Sequence, residues 1–114
     1  MQYRYENITI NSIYDADTMD VTLHIGFKID FTTKLRLYGI NARELRKEER
    51  EKGLIARDWL RERLKGEEVA VETIKDKKGK YGRYIAIIFV KAGEEWVNIN
   101  DELVEKGHAK YVKY

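Results

Sequence analysis

Apolar and polar residues alternate most cleanly over residues 18–27, TMDVTLHIGF. Met19, Val21, Leu23 and Ile25 face one way there, and Asp20, Thr22 and His24 the other. A period of two marks a strand with one buried face. Residues 7–13 repeat the pattern imperfectly with Ile8, Ile10 and Ile13, and are read as a strand set off from the next by the polar break YDAD at 14–17. A third strand is expected over 28–40, with Phe31, Leu35 and Leu37 inward. Neighbouring side chains of a strand alternate in direction, so Arg36 then points to the opposite face. Gly26 and Gly39 offer the turns that end these strands.

Over 48–65 the period changes. Ile55 and Trp59 are four apart, as are Ala56, Leu60 and Leu64, which makes one apolar stripe of an amphipathic helix ended by Gly66. Strands resume at 68–74, where Val69, Val71 and Thr73 share a face, and at 84–90, YIAIIFV, a near-continuous apolar run that fits a buried strand. A hairpin-like turn at 91–94 leads to a short helix over 97–106, capped by Asn98 or Asn100 and ended by Gly107, and then to an extended AKYVKY. Three strands, a helix, two strands and a short C-terminal helix predict a mainly β protein: a five-stranded oligonucleotide-binding barrel with a helix between strands 3 and 4.

Length and charge narrow the picture further. The 114 residues suggest one domain spanning 1–114, and 43% apolar residues suffice for one core. Charged residues make up 37% but the net charge is only +2, so any nucleic-acid surface must come from local distribution. The absence of cysteine excludes disulfides, thiol catalysis and cysteine-ligated metals. The N-terminus has no charged-then-apolar signal pattern and no run reaches spanning length, so a cytoplasmic protein without membrane association is expected, and a monomer.

The chemistry concentrates in LRLYGINARE at 35–44, which carries Arg36 on a strand, then a glycine turn, Asn41 and Glu44. The acidic pair Asp15 and Asp17 lies upstream, and Arg83 closes the basic loop KDKKGKYGR at 75–83, which holds five basic residues and one acid. Two guanidinium forks, a carboxylate and oxygen donors for a hard cation suit a phosphodiester. Plainer readings stand beside these. Arg36 can be an outward strand residue, Arg83 a loop cation, Glu44 part of a solvated charged run, and Asp15 and Asp17 turn residues bonding their own backbone.

YDADT at 14–18, LRLYGINARE at 35–44, GLIARDWL at 53–60, KYGRYIAIIF at 80–89 and VEKGHAK at 104–110 resemble, in order, the staphylococcal-nuclease-like (thermonuclease) family. The resemblance implies a metal-dependent nuclease that hydrolyses DNA and RNA with little sequence specificity and leaves 3′-phosphates. Single-stranded or frayed substrates are expected. It casts Arg36 and Arg83 as phosphate-binding catalytic arginines and Glu44 as the catalytic glutamate. Asp17, Asn41 and the Ala42 backbone carbonyl become calcium ligands, with Asp15 behind them orienting the site. Lys77, Lys78, Lys80, Tyr81 and Tyr84 are the expected substrate contacts. Asn41 stands where the family has an aspartate, and Arg43 where it has a proline. The lost charge predicts weaker calcium binding, or tolerance of magnesium or manganese. A binding module of the same fold, gripping single strands or a protein ligand without useful catalysis, is the alternative.

Overall fold

A computed structural model describes residues 2–42, 50–78 and 84–112, and of Gln2 and residues 75–78 it describes the backbone. Nine strands and two helices are seen among them: β1 (Gln2–Tyr5), β2 (Ile8–Asp15), β3 (Thr18–His24), β4 (Asp30–Leu37), β5 (Ile40–Ala42), α1 (Arg50–Leu64), β6 (Val69–Lys78), β7 (Tyr84–Ala92), β8 (Glu95–Asn98), α2 (Ile99–Glu105) and β9 (Ala109–Tyr111). The main sheet runs β1-β6-β7-β4-β3-β2, with β8 on β7, while β5 and β9 form a separate pair. The fold is mainly β with two helices, as expected, and α1 falls after the third long strand, β4. No ladder joins the two edges of the sheet among the described residues, so a closed barrel is not shown. The edge strands β1 and β2 are nevertheless consecutive in the chain, separated only by Glu6 and Asn7.

The clean alternation of 18–27 holds through Leu23: Met19, Val21 and Leu23 are buried, whereas Ile25 lies beyond β3 and is 44% exposed. The imperfect pattern of 7–13 has a structural cause. The pairing of β2 with β3 shifts register between Ile10 and Ser12, and a bulge of this kind turns Ile13 back toward the core. Leu35 and Leu37 are fully buried, but Phe31 is not an inward core residue: it is 44% exposed and sits edge-on to Tyr84. In α1 the buried stripe is Gly53, Ala56, Leu60 and Leu64. Ile55, expected on that stripe, is 55% exposed, while Trp59 packs against the core and lies over His108.

The second helix begins later than its pattern suggests. Trp96 and Val97 pair with Lys91 and Val90 of β7, so 95–98 is a strand and α2 starts at Ile99. Of the two candidate caps, Asn98 is the one used: its side chain accepts the Asp101 N–H at 3.0 Å. Asn100 is instead buried, at 3% exposure. Its Oδ1 accepts the Ile88 N–H at 3.1 Å, and its Nδ2 donates to the carbonyls of Tyr38 at 3.0 Å and Ala86 at 3.2 Å. Loss of this amide orphans backbone groups in a dry interior, each worth about 1–3 kcal/mol. Asn100→Ala is therefore expected to cost about 2–4 kcal/mol in denaturant titrations, whereas Asn98→Ala costs about 1 kcal/mol.

Candidate phosphodiester site

The site is assembled where three strand ends meet. Asp15 and Thr18 are the last paired residues of the β2–β3 hairpin, which leaves Ala16 and Asp17 in the turn. The turn folds on itself through the Asp17 N–H, which donates to Asp15 Oδ1 at 3.4 Å, the backbone bonding that the acidic pair allowed as its plainer reading. It is also tied outward. The Asp17 carbonyl accepts the Leu37 N–H at 2.9 Å at the end of β4. Asp17 Oδ2 accepts the Ala42 N–H at 2.7 Å from β5, and Oδ1 accepts the Thr18 hydroxyl at 3.1 Å.

Gly39, at φ +78°, permits the tight reversal between β4 and β5 that brings Asn41 back over Arg36. The Arg36 Nη2 donates a short hydrogen bond to Asn41 Oδ1 and lies 3.4 Å from Asp17 Oδ2, while Nη1 donates to the Leu37 carbonyl at 2.8 Å. The side chains of Arg36 and Asp17 are only 13% and 14% exposed. A guanidinium held from three sides in a half-dry environment keeps its direction without further ordering when an anion arrives.

Asp15, Asp17, Arg36, Asn41 and the Ala42 N–H are thus brought together. Thr18 was not singled out in the sequence, although it belongs to the YDADT stretch, and the Ala42 N–H was not foreseen because backbone donors leave no mark in a sequence. Tyr84 stands apart. It pairs with Leu35 while Arg36 pairs with Ile85, so Tyr84 shares the face of the buried leucine rather than that of the arginine. There it borders a cavity of about 240 Å³ with Leu23, Phe31, Thr33, Leu35 and Thr73. Lys77 and Lys78 lie on the end of β6. Glu44, Lys80, Tyr81 and Arg83 lie outside the described residues. A larger groove of about 570 Å³ runs between β2 and the end of α1, away from these groups.

Among the described residues, the side chains that could hold a cation here are oxygen donors: the Asp15 and Asp17 carboxylates and the Asn41 amide. That set fits calcium, magnesium or manganese rather than zinc. Burial, then the hydrogen bond and charge of Asp17, push the Asp15 carboxyl up to about 6. The strain of two close carboxylates is what a bound cation would relieve. The Asn41 oxygen and Asp17 Oδ2 already face Arg36, so a cation would share them with the guanidinium.

A carboxyl whose folded pKa is raised favours folding while protonated. Its contribution is whole below the unfolded value of 3.8 and is lost as pH rises through about 6. Asp15→Asn removes the like charge yet keeps an acceptor for the Asp17 N–H. In chelator-treated buffer this variant is expected to melt higher than the parent at about pH 8 and to converge with it at about pH 3.5, in paired thermal scans.

The family described as staphylococcal nuclease homologue matches residues 34–114, the part of the chain that includes Arg36, Asn41, Glu44 and Arg83. A protein of Methanocaldococcus jannaschii described as uncharacterized is 35% identical over 63 residues, which are 54% of this chain and 30% of that relative. The chain therefore spans well under half of the length of the curated relative it matches. With the match covering most of the chain, this protein belongs to the staphylococcal nuclease homologue family.

Proposed function

We propose that the chain is a metal-dependent nuclease, using calcium or a related hard cation, that hydrolyses phosphodiester bonds of DNA and RNA with little sequence preference. The observation that carries this reading is Arg36, mostly buried and aimed by Leu37, Asn41 and Asp17. A guanidinium has five N–H donors in a planar fork, so these bonds still leave donors for a phosphoryl oxygen. Membership of a nuclease family supports the same substrate class.

In this reading Arg36 and Arg83 bind the phosphoryl oxygens and compensate the charge that grows on them as water attacks phosphorus. Glu44 orients that water or takes its proton. The P–O5′ bond breaks and the phosphate stays on the 3′ side. Asp17, Asn41 and the Ala42 carbonyl would hold the cation, with Asp15 behind them, and the ion would supply Lewis-acid polarisation of the phosphate. Lys77, Lys78, Lys80 and Tyr81 contact the strand.

The commitment of the Asn41 oxygen to Arg36 favours a second reading, in which the same surface binds single strands without cleaving them. Incubation of long single-stranded DNA with calcium, magnesium, manganese or chelator separates the two. Metal-dependent products ending in 3′-phosphate are expected, and Arg36→Ala, Glu44→Ala and Arg83→Ala should each slow cleavage by about 100-fold or more. A salt-sensitive complex that is never cut would establish the binder. Asn41→Asp restores a carboxylate and is expected to lower the calcium concentration needed for half-maximal cleavage.

A further inference from the structure

The β3–β4 hairpin ends in a turn that its sequence does not favour. The Ile29 N–H donates to the Gly26 carbonyl at 2.8 Å, so Phe27 and Lys28 are the central residues, with φ of 54° and 61°. Turns with positive φ at both centres prefer Asn-Gly or Asp-Gly, and a large aromatic held there is strained. Nothing is gained by burial, because Phe27 is 96% exposed. Ile25, Ile29 and Phe31 flank it at 44%, 52% and 44% exposure. Single exposed apolar residues are ordinary, but four within seven positions on a strained tip are not.

The surroundings indicate what meets this tip. β4 and β7 are parallel, so the hairpin before β4 and the first residues of β7 lie toward the same end of the sheet. β6 reaches that end through Lys75, Lys77 and Lys78, and Lys28 adds a charge on the tip itself. Two acids share this end: Asp76, between the β6 lysines, and Asp30, which is paired with His24 at 2.8 Å. Phe31 touches Tyr84, which pairs with Leu35, so the apolar residues continue along β4 on the face opposite Arg36. Phe31 and Arg36 are five strand steps apart, roughly 17 Å. A second copy docked symmetrically would set lysines against lysines. Flat apolar faces on an anionic backbone match aromatic and cationic side chains together.

We infer that the Phe27 hairpin tip is a base-stacking site for a single-stranded nucleic acid, engaging nucleotides several positions from the one at Arg36. The inference rests on the nucleic-acid partner of the reading above and not on catalysis. The test is fluorescence anisotropy in chelator, where no metal-dependent cleavage occurs, with a 20-nucleotide oligothymidylate and an abasic strand of equal length as probes. Phe27→Asn suits the positive φ, so it should raise the melting temperature, which excludes unfolding as a cause of lost affinity. It is expected to weaken oligothymidylate binding roughly ten-fold and abasic binding far less. Phe27→Trp should restore affinity, and Ile55→Ala, on an exposed apolar residue of α1, should not alter it. Equal binding by Phe27→Asn and the parent would overturn the inference, as would an equal loss on both probes. So would loss only of self-association, or only of binding to anionic phospholipid vesicles. Absence of cleavage with every added ion, with base-dependent binding intact, would remove the nuclease reading and leave this one standing. Cleavage with binding insensitive to Phe27 would do the reverse.

Discussion

The buried amide of Asn100 is the joint on which the arrangement of the sheet depends. The parallel pairing of β4 with β7 lasts only from Leu35 to Leu37, and beyond it the β7 backbone still has polar groups facing the interior. Asn100 meets them as another strand would, accepting from Ile88 and donating to Ala86, and its second donor takes the Tyr38 carbonyl. One side chain on α2 thus completes β7 and fixes the residue at which β4 turns. Tyr38 lies two residues after Arg36 and three before Asn41. The position of the candidate site is therefore set from behind, by an interior hydrogen-bond account that admits few alternatives.

Charge balance sets what that site can do. Among the described residues, Arg36 meets one carboxylate, Asp17, and one neutral amide, Asn41. A second carboxylate at 41 would hold a cation more firmly, but it would also draw on the same guanidinium and add to the repulsion already felt by Asp15. Asparagine keeps the geometry of the contact while leaving more of the arginine's charge for an incoming anion. Under the proposed function, asparagine at 41 would trade metal affinity against phosphate affinity.

How much of this was legible in the sequence follows from how local each feature is. The faces of β3 and β4 could be read from alternation, and with them the direction of Arg36, because strand geometry is a property of adjacent residues. The α1 stripe was legible through Ala56, Leu60 and Leu64, but Ile55 was misplaced because sequence cannot show where the partner surface of a helix ends. Asn100 was read as a cap because polar residues near a helix start usually are. Its partners, Tyr38, Ala86 and Ile88, are distant in the chain and give no local signal. The same holds for β1, whose pairing with β6 joins residues some seventy positions apart. In the candidate site, Asp17, Arg36 and Asn41 were legible as a motif, but the Ala42 N–H that anchors Asp17 was not.

Local rules are broken in this protein at the two ends of one strand. Beside the end of β4 two half-buried aspartates of the β2–β3 hairpin lie against each other, and before its start an aromatic residue occupies a backbone region suited to glycine or asparagine. Between them, Leu35 and Leu37 are fully buried and Arg36 is paired in register with β7. A sequence specifies its fold where local and global preferences agree, and departures persist only where the surrounding structure over-determines them. The buried C-terminal part of β4, Leu35 and Leu37, supplies that surplus. It can hold an acidic cluster at one end and an exposed aromatic tip at the other because neither takes part in the core that positions it. An arrangement of this kind keeps the two groups at a fixed separation, which a loop-borne set of the same residues could not do.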